Sequence, residues 1–242
     1  MKDTPLVITA CVFSRPDVYS QTLESYKTVR GMRDILYMPI FEFGYDPKCL
    51  EVLEKAMCSN TGWLVAEPIF NDRRLGVDHN TWNALRLGFE VAETVIHAED
   101  DILWAPDALE FFQWGLNNYK KDRSVFSIGA HNGDGRGGEK VSESLYYSVL
   151  REQWFTPWGW ATWEDRAGDI LSTNPLANQA GWDHTMNHVV RNGRSLVRPH
   201  YSRTKHIGIT GVHVNGEAWA HDEAGNRDWA GLNPIPANPF YE

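Results

Sequence analysis

The sequence has no long apolar run. No window approaches the roughly 20 consecutive apolar residues needed to cross a bilayer, so no membrane span is expected. It also lacks the pattern of a secretory leader. Met1-Lys2-Asp3-Thr4-Pro5 runs straight into Leu6 to Phe13, which is strand-sized and has no small-residue cleavage pattern. Cysteine is scarce. Cys11, Cys49 and Cys58 are too few for a disulfide scaffold and lack zinc-site spacing, which fits a reducing cytoplasm. Positive charge is in deficit: 23 Lys and Arg stand against 32 Asp and Glu, a net charge of −9. That excludes a globally basic nucleic-acid coat, though not a local basic groove. No G-x-G-x-x-G follows a strand, which disfavours a dinucleotide-binding dehydrogenase.

The composition is otherwise that of a globular chain, with 42% hydrophobic and 23% charged residues, so disorder is excluded. At 242 residues the length is near the limit for a single core. Tryptophan is abundant, with 11 residues. Such rings line sugar clefts or fill cores, and the count alone does not separate the two.

The first half alternates strand and helix signals. Strands are predicted at Leu6 to Phe13, Ile35 to Phe41, Trp63 to Ala66, Thr94 to Ala98 and Val125 to Ala130. Helices are predicted behind Pro16, from Pro47, over Asn80 to Val91, and behind Pro106. This order argues for a mostly parallel sheet with helices on both faces, where ligands bind at the carboxyl ends of the strands. Polar clusters stand at those ends: Ser14-Arg15, Glu42, Glu99-Asp100-Asp101 and His131-Asn132. The second half changes character. Asn132 to Lys140 reads as a Gly-rich loop. Tyr146 to Leu150 and Trp154 to Trp163 read as short strands or a turn, Asp183 to Asn192 as a helix ended by Gly193, and Ser195 to Arg198 as a strand. The polar, then Pro-rich tail reads as a surface extension.

The acidic triplet carries the most chemistry. Three adjacent acids after an apolar run are costly unless something compensates them. A hard cation such as Mn²⁺ or Mg²⁺ does so, taking one or two carboxylates and filling its shell with substrate phosphates. The competing reading is a solvated turn, with Asp107 and Glu110 serving the next helix. Residues 191–206 hold Arg191, Arg194, Arg198, Arg203 and Lys205 with no acid, a local positive stretch suited to an anionic ligand or to a solvated edge.

Val95 to Asp107, with its apolar strand, Glu-Asp-Asp, short apolar segment and Ala-Pro-Asp, resembles the N-acetylglucosaminyltransferase I family of GT-A-fold glycosyltransferases. Four later segments resemble that family in the same order: Ser127 to Gly135, Trp154 to Trp160, Trp182 to Met186, and Arg198 to Thr204. Gly211-Val212 then matches a Gly-Val before the family's lid region. The resemblance covers residues 6–214 and is best over 93–212. It implies a GT-A-like α/β fold, a mostly parallel twisted sheet flanked by helices on both faces, with a smaller acceptor-side region. It implies one catalytic domain with a nucleotide-binding half at 1–135, an acceptor and catalytic half at 136–215, and an extension at 216–242.

The activity implied by the resemblance is metal-dependent, inverting transfer of a sugar from a nucleoside-diphosphate sugar to an acceptor hydroxyl. In that scheme Asp101 binds Mn²⁺ or Mg²⁺, and Glu99 and Asp100 face the nucleoside. Asp183 is the catalytic base, although it is also placed to cap the helix that follows it. Further expected nucleotide contacts are Ser14, Arg15, Glu42 and His79, with His213 as a second metal ligand. Trp158, Trp160, Trp182 and Arg203 are expected at the sugar or acceptor pocket. The acceptor is a glycan or, through the basic stretch, a hydroxymethylated base in phage-type DNA. Two other classes stand against this reading. A nucleotidyltransferase would carry a glycine-rich phosphate loop, whereas Phe13-Ser14-Arg15-Pro16-Asp17 is poor in glycine. A glycan-binding module leaves the acidic triplet and Asp183 unexplained.

Overall fold

The structure is a computed structural model that describes residues 6–59, 62–132, 142–208, 229–231 and 240. The expected metal ligand His213, most of the Gly-rich loop, Gly211-Val212 and most of the tail lie outside the described residues.

The first half forms the predicted strands and helices, adds the short β4 and β6, and starts α3 four residues earlier than expected. In order it forms β1 (Leu6–Val12), α1 (Pro16–Tyr26), β2 (Ile35–Phe41), α2 (Pro47–Cys58), β3 (Leu64–Val65), β4 (Ile69–Phe70), α3 (Gly76–Val91), β5 (Thr94–Glu99), β6 (Ile102–Trp104), α4 (Ala108–Asn118) and β7 (Val125–Gly129). Pro16 and Pro47 open their helices in the first turn, where a missing N–H costs nothing. The second half adds β8 (Val149–Glu152), β9 (Trp160–Trp163), α5 (Glu164–Leu171), α6 (Trp182–Thr185), β10 (Ser195–Pro199) and β11 (Thr204–His206). A π-helical turn, Met186–Val190, continues α6.

Among the described residues the main sheet runs β3-β2-β1-β5-β9-β7-β10-β8, with β4 also pairing β2. Its left half is parallel: β1 pairs β2 and β5 over long registers. The right half is mixed: the edge strand β8 pairs β10 antiparallel, and β9 lies antiparallel between β5 and β7, with His97 opposite Trp160 and Thr94 opposite Trp163. The chain therefore enters β9 at the carboxyl end of β5, the end that carries the acids.

Helices cover both faces, as strand alternation requires. Ile8, Ala10 and Val12 of β1 pack with Tyr19 and Leu23 of α1, and with Leu53 of α2, in the larger core, which also takes Phe111 and Phe112 of α4. Val7 faces the other way, with Ala84 of α3. Trp82, Phe155, Trp160, Trp182 and Met186 build a third cluster on that second face. Gly88 lets α3 close on the sheet, since a Cβ there would come within 2.9 Å of side-chain atoms of Thr9 and Val95. Among the described residues no helix is long and apolar enough to cross a membrane.

Candidate active site

The acids sit where β5 ends. Glu99 is the last residue of the strand, and Asp100 and Asp101 form the turn into β6. Backbone contacts fix that turn. The Thr22 hydroxyl of α1 donates to the Asp100 carbonyl at 2.9 Å, and the Ile207 N–H donates to the Asp101 carbonyl at 2.9 Å. Both aspartates are buried. Arg15, just after β1, bridges them, with Nη2 at 2.5 Å from Asp100 Oδ1 and Nη1 at 2.6 Å from Asp101 Oδ2. The Phe13 N–H adds a longer bond to Asp100 Oδ2 at 3.3 Å.

The electrostatics follow from this crowding. Burial, reinforced by the charge of Asp101, pushes Glu99 up to about 8. Burial also raises Asp100 to about 6, against the pull of Arg15. Burial would raise Asp101 too, but its hydrogen bond with His206 and the positive charges of His206 and Arg15 outweigh it and hold the group below the usual carboxylate range. Asp101 is thus the most acidic of the three.

His206 was not singled out from the sequence. It ends β11, which pairs antiparallel with β6 and so returns the chain to the acids. His206 Nε2 lies 3.2 Å from Asp101 Oδ2, and its ring stacks on Trp158 at 5.0 Å. Gly208 closes the same spot. A Cβ there would fall 2.1 Å from Asp101 Oδ2 and 2.8 Å from His206 Nε2, so any other residue would have to displace these side chains. A histidine two residues before a glycine, beside the Arg-Thr segment, was the available signal. The expected second metal ligand, His213, lies outside the described residues.

The residues present fit a divalent cation. Asp101 Oδ1 is buried and has no hydrogen-bond partner. A carboxylate beside an imidazole is a donor set that Mn²⁺ accepts. No cluster of three or more His, Cys, Asp or Glu suited to a metal occurs among the described residues, so phosphates or water would complete the shell.

The other expected site residues fall in distinct places. Ser14 is exposed beside Arg15. The Glu42 carboxylate accepts from the backbone N–H groups of Phe43, Leu75 and Gly76, at 2.7 Å for Phe43 and 2.8 Å for Gly76, and so holds the start of α3. His79 is exposed in the first turn of α3. It lines a cleft of about 360 Å³ with Asn71, Arg73, Trp82 and Arg86. Asp183 lies in the single turn of α6. Gly181 brings it near Asp78, because a Cβ on Gly181 would sit 3.2 Å from Asp183 Oδ1 and 3.7 Å from Asp78 Oδ1. The Trp182 N–H donates to Asp78 Oδ1 at 2.8 Å, so the cap role falls to Asp78.

The aromatic and basic expectations need correction. Trp160 and Trp182 are buried in the core on the α3 side of the sheet, and Trp158 alone of the three remains half-buried beside the acids. Arg203 is sealed inside. It donates to Asp107 Oδ2 at 2.9 Å and to the carbonyls of Tyr201 and Tyr146 at 2.6 and 2.7 Å. Arg198 is buried against Asn132 and Glu152, and Arg194 pairs with Asp169 at 2.8 Å. Three of the five basic residues of the stretch, Arg194, Arg198 and Arg203, thus pair with acids, so among the described residues it presents no continuous positive face.

Comparisons with known proteins agree with this geometry. A curated relative, the alpha-1,3-mannosyl-glycoprotein 2-beta-N-acetylglucosaminyltransferase of Arabidopsis thaliana, is 27% identical over 125 residues, which make up 48% of this chain and 25% of that protein. The matched part thus spans about a quarter of the relative. Among solved structures, the mannosyltransferase PcManGT from Pyrobaculum calidifontis, in complex with GDP-Man and Mn²⁺, superposes with a TM-score of 0.58 at 16% identity, covering 81% of this chain and 54% of that one. S. aureus TarS 1–349 gives a TM-score of 0.60 at 10% identity, covering 84% and 60%. At these identities the likeness shows the fold, which is the GT-A fold of glycosyltransferases. The sequence match is more specific: residues 81–219, more than half of the chain and including the acidic strand end, fit the family described as the GNT-I family, and the chain belongs to it.

Proposed function

We propose that this protein is a glycosyltransferase that moves a sugar from a nucleoside-diphosphate sugar to an acceptor hydroxyl, with inversion and with Mn²⁺ or Mg²⁺ held at Asp101. The observation that carries this reading is the buried acidic turn at the carboxyl end of β5, where Asp101 keeps one oxygen without a partner. The GNT-I relative acts on a mannosyl glycoprotein and two structural neighbours were solved with GDP-Man or UDP-GlcNAc, which supports a nucleotide-sugar donor and a glycan acceptor.

In this reading Asp101 holds the cation and His206 sets the orientation of its carboxylate. A bound cation supplies charge neutralisation for the leaving diphosphate. With a cation held at Asp101, Arg15 would be available to pair with phosphate. Glu99 and Asp100 face the donor. Glu42 and His79 act at the nucleotide side, Glu42 by fixing the α3 terminus and His79 from the cleft. Asp183 takes the proton from the acceptor hydroxyl as it attacks the anomeric carbon. Trp158 lines the sugar pocket. Residues 1–135 form the donor half, 136–215 the acceptor half and 216–242 an extension. Three cysteines, none of them paired, fit a reducing compartment such as the cytoplasm.

The test is a thermal-shift panel of nucleoside diphosphates and their sugars, with and without Mn²⁺. A ligand at 100 times its dissociation constant stabilises by about 2.7 kcal/mol. One base should give a Mn²⁺-dependent shift. Asp101→Ala should abolish both shift and transfer. Asp183→Asn should keep the shift and lose about 10²–10⁴-fold in rate. Equal loss of nucleotide binding in the two variants would sink the assignment of roles.

A further inference from the structure

One exposed aromatic lies outside the donor site and is held in place by contacts on both sides. Trp154 is 45% exposed, while the neighbouring Phe155 is fully buried against Trp160 and Trp182. The backbone around it is clamped. Asn187 Oδ1 accepts from the Phe155 N–H at 2.6 Å, and Asn187 Nδ2 donates to the Phe155 carbonyl at 3.0 Å. Arg191 donates to the Gln153 side chain at 3.0 Å. Trp154 is thus fixed against the α6 segment on both sides. Two imidazoles meet its ring: His184 at 6.0 Å and His188 at 5.6 Å, both at steep angles, and they stack on each other at 5.8 Å. His184 and His188 stand one turn apart, and His184 directly follows Asp183 in the chain.

A surface tryptophan left half open loses apolar burial, and ordering it costs side-chain entropy. A clamp from Asn187 and Arg191 makes sense where the ring is kept ready for a ligand. The chemistry of the cluster narrows the ligand. An indole face packs on the apolar face of a sugar ring, and imidazole nitrogens exchange hydrogen bonds with hydroxyls. The clamp also ties this segment to the turn of the proposed base, since Asn187 Nδ2 donates to the Asp183 carbonyl at 3.1 Å.

We infer that Trp154, His184 and His188 form an acceptor subsite that binds a neutral saccharide ring adjoining the one that receives the transferred sugar. This rests on the transferase reading and on Asp183 as its base. The subsite binds and positions the acceptor, and no bond is made or broken there.

The experiment uses the full chain and four probes: methyl α-D-mannopyranoside, methyl β-D-glucopyranoside, methyl β-D-galactopyranoside and N-acetylglucosamine. The indole N–H resonance of Trp154 is assigned by its disappearance in Trp154→Phe. At least one probe should move that resonance saturably. Trp154→Ala should weaken binding of that probe about tenfold, the scale of one aromatic contact, and Trp154→Phe should retain most of it. Both variants should keep the nucleotide- and Mn²⁺-dependent thermal shift of the wild type, which also shows that they fold. The inference is overturned if no probe moves the resonance, or if Trp154→Ala binds the probe as the wild type does. It is also overturned if ZnCl₂, and none of the sugars, moves the resonance through both histidines, which would make the cluster a metal clamp. A sugar response at Trp154 in a wild-type protein with no nucleotide response would instead bring down the transferase reading, and the acceptor role with it.

Discussion

Two arginines of this fold meet aspartates, and the two contacts have opposite character. Arg203 and Asp107 are both sealed from solvent, and the guanidinium also binds two backbone carbonyls and packs on Tyr146 at 4.1 Å. Arg15 reaches Asp100 and Asp101 from the rim, with a quarter of its side chain exposed. Each contact leaves one carboxylate oxygen without a partner, Asp107 Oδ1 in the first and Asp101 Oδ1 in the second. An unpartnered oxygen therefore does not by itself mark a site. Access does. The Asp107 pair joins the start of α4 to the approach to β11, two segments that never need to part. The Asp101 pair lies at the carboxyl end of a parallel strand, at the place proposed for a divalent cation.

The largest effect should come from breaking the sealed contact. Arg203→Ala leaves Asp107 buried and uncompensated, and should cost about 3–5 kcal/mol of stability in denaturant unfolding. Mn²⁺ should not restore it. Arg15→Ala should cost less, about 1–3 kcal/mol, because Arg15 itself is at the rim and Asp101 keeps its contact with His206. Here millimolar Mn²⁺ should recover the melting temperature, since a cation at Asp101 replaces the lost charge. If Mn²⁺ rescued both variants or neither, the distinction would collapse.

The smallest effect concerns His97, a buried ionisable group on the strand that carries the acids. Burial pushes it down to about 3. Its unfolded form takes up a proton below about 6.5, whereas the folded form stays neutral until about 3. The folded state is therefore favoured fully above 6.5, and stability falls as the pH drops below that, by about 1.4 kcal/mol per unit. Between pH 7.5 and 5 the histidine accounts for a loss of about 2 kcal/mol. His97→Gln should lose that much less over the same interval, measured as the difference between the two unfolding curves.

The left half of the sheet was legible because strands buried on both faces write continuous apolar runs, and β1, β2 and β5 fall within a residue of their predicted ends. The acidic turn was legible for the opposite reason, since charge there breaks the pattern. β6 and β11 are three residues each, too short for any period to show, so the pairing that brings His206 to Asp101 could not be read. The helix α5 was missed because its buried Arg166 looks solvent-facing in sequence, while its side chain lies against Trp163 and binds the carbonyls of Tyr119, Asp122 and Val125. The basic stretch failed similarly. A run of arginines carries no sign of whether its partners are water or a protein interior.

The reversed strand β9 separates two kinds of evolutionary change. Its first residue lies beside the acids and its last at the far edge, so the segment leading into it can lengthen, shorten or exchange sequence without shifting the register of β1, β2 or β5. Changes between β8 and β9 would thus alter what borders the acidic turn while leaving the pairing of β1, β2 and β5 as it is.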